Sequence, residues 1–367
     1  MALNRLLATY RVASSAGEID ARAKALAAEQ SVEMPLEAIG DPRVLQEIAA
    51  TVESIRPAGS AFEVTLGLAA DTTGNEASQL ANMLFGNCSL QPEVELLDVA
   101  FPPGYESAFP GPAFGIAGLR QRVHAPSRAL TCTALKPQGS TVAHLAKLAG
   151  IFARAGIDVI KDDHGLANQA YSPFAERVPA VQRAIDDANR ETGGHTLYAP
   201  TFSGGPGALA EQARIAVNCG VGIALVAPML VGLPVFVEMR REHGLALLAH
   251  PAFAGASRVS PPLLLGKLFR LFGADATIFP NHGGRFSYSR ETCLGIAAAA
   301  RDPWNGIKPA LPVPAGGMTV ERVGEMIAGY GTDTMLLIGG GLLTAGDALL
   351  ERSRDFVAKV ASHGRCA

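Results

Sequence analysis

The sequence predicts an α/β fold: a (β/α)8 TIM barrel preceded by a smaller α+β (ferredoxin-like) domain. Three observations carry this. Eight short apolar runs follow one another after Arg128, helix-like segments lie between most of them, and no G-x-G-x-x-G opens a first strand–helix turn. Continuous apolar strands alternating with helices mean a parallel sheet covered on both faces. Eight such units in about 240 residues close into a barrel, whereas an open doubly wound sheet would need fewer.

The amino-terminal region, residues 1–125, reads as α+β. "RLLATYRVA" alternates like a strand, "AGEIDARAKALAAEQS" has helical spacing, "AFEVTLGLAA" is a second strand and "ASQLANMLFGN" a second helix. "VELLDVAFP" closes this part, and the Pro-rich stretch Phe101–Gly115 is expected to connect it to the barrel at residues 126–367. The barrel strands, in order, are "LTCTALK", "GIDVIK", "HTLYAPT", "GIALVAP", "LALLAH", "ATIFP", "PALPVPAGG" and "TMLLIGGG". Segments such as "TVAHLAKLAGIFARA" and "VPAVQRAIDDANRET" supply the helices.

Composition bounds the function. The chain has 367 residues, is 48% hydrophobic and 18% charged, and carries a net charge of −3 with no basic block. Nucleic acid and an anionic membrane are therefore not expected partners. No apolar run reaches membrane-spanning length. The five cysteines (88, 132, 219, 293 and 366) are scattered, odd in number and free of CxxC pairs, which fits a reducing, cytoplasmic setting.

A barrel places its site at the carboxyl ends of the strands. Run one ends in Lys136, run two in Lys161, Asp162, Asp163 and His164, run three in Thr201, run five in His250, and run six in Asn281 and His282. Runs seven and eight end in Gly316–Gly317 and Gly339–Gly341. One lysine at a strand end is ordinarily a solvated loop residue, His250 alone a satisfied core histidine, and Asp162 alone a helix cap. Their convergence on one mouth favours a site. Asp163 and His164 are metal ligands by type, and Gly165 would permit the turn that brings adjacent side chains to one ion. Bare backbone N–H groups at the last two glycine runs suit a phosphate. Phosphate, divalent cation and lysines together suggest a phosphorylated carbonyl substrate, with the metal polarising the carbonyl and a lysine moving the proton.

These residues resemble the RuBisCO superfamily along nearly the whole chain. "LKPQG" is similar to its strand-one KPK motif, "GIDVIKDDH" to its G-x-D-x-x-K-D-D-E, "LLAHP" to the strand-five histidine segment, and "PAGGM" and "IGGG" to its two glycine segments. "LAAEQS" and "LFGNCS" resemble segments whose Glu and Asn reach the neighbouring subunit's active site. The resemblance implies a homodimer with the site at its interface, possibly within a higher oligomer. It implies Lys161 as a carbamate binding the metal with Asp163 and His164, Lys136 as general acid or base, and His250 near the substrate. It also implies Gly317, Gly340 and Gly341 at phosphate, and Glu29 and Asn87 completing the site.

Departures from that pattern narrow the activity. His164 replaces a Glu, so Mg²⁺ is joined as a candidate by Mn²⁺ or a softer ion, and Lys161 could instead stay an amine base. Gln138 replaces the second Lys of KPK, Pro251 an Arg that grips a second phosphate, and Ala315 a Ser. Arg285 is the nearest counterpart of the Lys that closes over CO2, and Val32, Glu33 and Met34 replace the TGT after the Glu. The expectation is a RuBisCO-like enzyme that does not carboxylate ribulose bisphosphate and acts through a metal-held enolate on a phosphorylated keto sugar or sugar acid. Decarboxylation or C–C cleavage of a 3-oxo sugar-acid phosphate is the first reading. Isomerase or enolase chemistry on a methylthioribulose-type phosphate in methionine salvage is the second. A non-catalytic sugar-phosphate-binding relative is a third.

Overall fold

The computed structural model describes residues 4–286 and 288–364, so Cys366 lies outside the described residues. Two compact units form. One comprises the chain up to Phe109 with Ala254–Leu264, the other Pro110–Phe253 with the chain from Leu265 onward.

The first unit holds β1 (Arg5–Val12), β2 (Thr51–Ala58), β3 (Ala61–Ala69) and β4 (Val94–Ala100). They form an antiparallel sheet in the order β2-β3-β1-β4, the arrangement of a split βαβ fold. Along β1, Leu6, Ala8, Tyr10 and Val12 are buried and the residues between them are more exposed, as the period of two requires. The helix Ile19–Glu29 follows β1, and Ala77–Phe85 follows β3. Glu76 starts the latter by accepting from the Ser78 and Gln79 N–H groups. The edge strand β2 escaped the sequence reading: it is polar, none of its residues is fully buried, and it contains Pro57, so its alternation carries no apolar signal. A short segment extends this unit at β4, where Leu96 and Val259 form a parallel bridge.

The second unit is the barrel. Its strands are β5 (Leu130–Leu135), β6 (Val159–Asp162), β7 (Leu197–Ala199) with β8 (Thr201–Phe202), β9 (Ile223–Val226), β10 (Ala246–Ala249), β11 (Ala276–Pro280), β12 (Leu311–Ala315) and β13 (Met335–Leu337). β7 and β8 are one barrel strand interrupted at Pro200, whose carbonyl still accepts from Leu225 N–H at 2.9 Å. All eight apolar runs therefore become strands, paired parallel in the orders β13-β5-β6-β7 and β8-β9-β10-β11-β12. No ladder joins β12 to β13. In β12 the Leu311 N–H and Ala315 carbonyl bond towards β11, so the alternate residues Pro312 and Pro314 face β13 without a donor. Thr334 Oγ1 donates to the Pro312 carbonyl there at 3.0 Å.

The units part at Phe109–Pro110, not at residue 125. The cause is the helix Gly115–Arg122, whose Ile116 and Leu119 share one buried cluster with inward barrel residues such as Cys132, Ala199, Leu248 and Met335. At the amino-terminal ends of the strands, Asp158 accepts from Arg128, Thr131 Oγ1 and Thr131 N–H. Asp275 accepts from the N–H groups of Phe114, Gly115 and Leu247. These buried carboxylates lie at the face that stabilises a barrel rather than the one that reacts.

Candidate active site

Lys136 directly follows β5, Lys161 and Asp162 lie at the end of β6, Asp163 and His164 follow it, and His250 directly follows β10. Asp163 is the hub. Its Oδ2 accepts from Lys136 Nζ, its Oδ1 from Gly165 N–H at 3.0 Å, and His164 Nδ1 lies 3.3 Å from Oδ1. Burial opposes its charge, but Lys136 and the Gly165 N–H outweigh that and hold the carboxyl down at about 2. The turn at Asp163–Leu166 does bring the two adjacent side chains together, with Leu166 N–H bonding back to the Asp163 carbonyl at 2.9 Å. Gly165 serves it through space, not through a left-handed backbone: a Cβ there would run into the Gln138 amide. Lys161 is buried and donates to its neighbour's carbonyl, Asp162 O, at 2.9 Å. Burial lowers its pKa, which favours the free amine.

The His164 and His250 rings stack with centroids 4.4 Å apart and planes 9° from parallel. His250 Nδ1 accepts from Ala252 N–H at 3.1 Å, so its proton sits on Nε2. Burial, then Lys161 and His164, push its pKa down to about 2, and the ring is neutral. Burial also lowers the His164 pKa, against Asp163 and with help from Lys161, Lys136 and Arg285.

The glycine loop after β12 packs closely against the loop after β11. Gly316 and Gly317 take φ of +80° and +67°. A Cβ on Gly317 would stand 2.5 Å from Gly284 Cα, so the loops after β11 and β12 touch backbone to backbone. Around Gly340 nothing would crowd a Cβ within 4 Å, while one on Gly339 would approach Lys136 Cε to 3.7 Å and one on Gly341 the Met318 carbonyl to 3.0 Å. Gly339 thus lies beside Lys136, and Gly340 next to it is open to approach. Arg285 is exposed, its guanidinium 5.5 Å from the Phe286 ring.

In the first unit, Asn87 Nδ2 donates to Glu29 Oε1 at 2.9 Å and to Glu33 Oε1 at 3.2 Å, although 58 residues separate Asn87 from Glu29. The intervening Gln30 pins the two segments by donating to the Met83 carbonyl and accepting from Cys88 N–H.

Other strand-end residues take structural roles. Asp162 caps no helix. It is fully buried and accepts from Arg177 Nε, Tyr198 OH and Thr201 N–H at 3.2, 2.7 and 3.1 Å. That network, with Thr201 Oγ1 donating to the Asp163 carbonyl at 3.0 Å, fixes the turn from beneath. Arg177 and Tyr198 lay outside the sequence reading because neither ends a strand. Asn281 is buried and bonds Tyr330 OH at 2.6 Å, and His282 reaches Glu325 at 3.4 Å.

Asp163 Oδ1 and His164 Nδ1 place a carboxylate oxygen and an imidazole nitrogen 3.3 Å apart, and Lys161 adds an oxygen only as a carbamate. Among the described residues no three His, Cys, Asp or Glu side chains gather as a metal site. The donor chemistry fits a divalent ion when Lys161 is carbamylated, and a neutral buried amine is the form that adds CO2.

The family profile "Ribulose bisphosphate carboxylase large chain, catalytic domain" matches residues 115–348. The chain is 55% identical over 361 residues to a protein of Rhodospirillum rubrum named 5-methylthioribulose-1-phosphate isomerase, covering 98% of this chain and 96% of that one. It is 53% identical over 363 residues to ribulose bisphosphate carboxylase-like protein 1 of Rhodopseudomonas palustris, covering 98% and 99%. A crystal structure of a Rubisco-like protein from Rhodopseudomonas palustris superposes with a TM-score of 0.93 at 50% identity, covering 99% of both chains.

Proposed function

The chain belongs to the RuBisCO large-chain family as a RuBisCO-like protein, and on that premise we propose that it isomerises a 5-methylthioribulose 1-phosphate-type ketose and does not carboxylate ribulose bisphosphate. One observation carries the reading: a partly exposed lysine, a buried lysine, a charged Asp163 and a neutral imidazole converge on one barrel mouth. The isomerase name of the 55%-identical relative supports this over decarboxylation of a 3-oxo sugar-acid phosphate.

Isomerisation needs a proton taken from the carbon beside the keto group. The C–H electron pair then forms the C=C bond of an enediolate as the keto oxygen takes up the charge. A proton returned to the former carbonyl carbon, with transfer of the neighbouring hydroxyl's proton to the former keto oxygen, moves the carbonyl one carbon along. Lys136 is the group with reach for this transfer, since its side chain is 38% exposed whereas Asp163 is 5% exposed. His250, neutral and protonated on Nε2, donates to the developing oxyanion without adding a charge. Lys161 as a carbamate, Asp163 and His164 would hold a divalent cation, Mg²⁺ or Mn²⁺. Bound there, the cation would supply Lewis-acid polarisation of the keto oxygen. Gly317, Gly340 and Gly341 would receive the phosphate through backbone N–H groups, with Arg285 at the rim. Glu29 and Asn87 would complete the site of a second subunit in a homodimer.

The test uses 5-methylthioribulose 1-phosphate labelled with ¹³C at the keto carbon, with Mg²⁺ or Mn²⁺, followed by NMR. The reading predicts that the label becomes a hydroxyl-bearing carbon. An unchanged ketose, with CO2 released from a 3-oxo sugar-acid phosphate by the same protein, would replace isomerisation by decarboxylation.

A further inference from the structure

The barrel mouth is chemically divided. Lys136 and Lys161 lie over β5 and β6, and the glycine runs lie over β12 and β13. In the barrel order of the eight strands, β9 and β10 stand across from β13 and β5. The segment after β9, a helical turn at Pro228–Val231 leading into the helix Leu233–Glu242, carries no charged residue from Ala227 to Val237, and the segment after β10 none from Pro251 to Ser257. Each presents a large apolar side chain to solvent: Leu230 is 61% exposed and Phe253 64%.

Phe253 is unusual in two further ways. Its φ is +68°, a left-handed backbone that a bulky aromatic residue rarely adopts and that marks a constrained position. It also sits one residue beyond Ala252, whose N–H holds the His250 ring. The turn that orients the histidine therefore continues directly into the exposed Phe253.

We infer that Leu230 and Phe253 form the subsite for the uncharged, apolar end of a monophosphorylated ketose, making Phe253 a specificity-determining residue. This rests on the isomerase reading and deepens it. A ligand spanning the mouth meets phosphate-binding backbone at one end, the lysines and His250 in the middle, and an apolar wall at the other. A thioether suits that wall. A second phosphate or a carboxylate there would lie beside Leu230 and Phe253 with no cationic side chain between Ala227 and Val237 or between Pro251 and Ser257.

The experiment measures equilibrium binding of two inert alditols, 5-methylthioribitol 1-phosphate and ribitol 1-phosphate, to the wild type, Phe253→Asn and Leu230→Ser, with sedimentation of each protein. Asn tolerates a left-handed backbone, so Phe253→Asn removes the apolar ring without adding strain. The wild type should prefer the methylthio compound by about tenfold or more, and each variant should bring that ratio towards one. An unaltered ratio in both variants would overturn the subsite. So would an unaltered ratio with a changed sedimentation coefficient, which would assign the patch to contact between copies. Turnover of the ketose by the wild type, measured separately, decides the isomerase reading alone, because alditol binding needs no chemistry.

Discussion

Asp163 and His250 are depressed for different reasons, and the two shifts act on stability in the same direction. The Asp163 carboxyl, held at about 2 against an ordinary value of 3.8, contributes stability above pH 4 that is lost as pH falls towards 2. His250 stays neutral in the fold down to about pH 2, whereas the unfolded chain protonates it near 6.5. The unfolded state then binds the extra proton, so stability falls as pH drops below 6.5. Replacing it, His250→Gln, should flatten the midpoint of thermal unfolding between pH 6.5 and 4, and an unchanged acid-side slope would remove His250 as its cause. For function, Lys136→Ala should lower kcat by about 10²–10⁴-fold, the ordinary contribution of a placed proton-transfer group, while leaving the far-ultraviolet circular dichroism as in the wild type. Undiminished turnover would free Lys136 from that role.

At the scale of elements, the glycine loops give the sharpest stability test. Gly317→Ala places a Cβ against Gly284 Cα on a backbone of φ +67° and should cost about 1–3 kcal/mol of unfolding free energy, read by urea denaturation. A neutral result would mean that the two loops separate freely. The eight barrel strands were legible because each is a short, mostly apolar run bounded by turn residues. So were Lys136, Asp163, His164 and His250, because a parallel strand delivers its last residues to the mouth. Gly165 was legible as a requirement but not in its cause, since the Gln138 amide that fills the space arrives from another loop. Three things were not legible. β2 is an edge strand without an apolar face, the helix Gly115–Arg122 declares its allegiance only by packing into the barrel core, and Arg177 becomes a partner of Asp162 only after a helix has folded over it.

For the whole molecule, the meeting of Glu29 and Asn87 across 58 residues gives the proposed dimer a direct test. Glu29→Ala and Lys136→Ala proteins, each inactive alone, should regain about a quarter of wild-type turnover when refolded together. Half of randomly paired dimers would then be mixed, each with one intact site. No recovery would place Glu29 outside the neighbouring subunit's site. Among the described residues no helix is long and apolar enough to cross a membrane. The central claim is that this mouth moves a proton beside a carbonyl through Lys136. The measurement that tests it most directly is deuterium uptake from D2O into 5-methylthioribulose 1-phosphate, followed by proton NMR for the wild type and Lys136→Ala with Mg²⁺ or Mn²⁺ present. The account predicts one deuterium on the carbon beside the carbonyl with the wild type and none with Lys136→Ala on the same timescale. Equal uptake by both proteins, or none by the wild type, would contradict it.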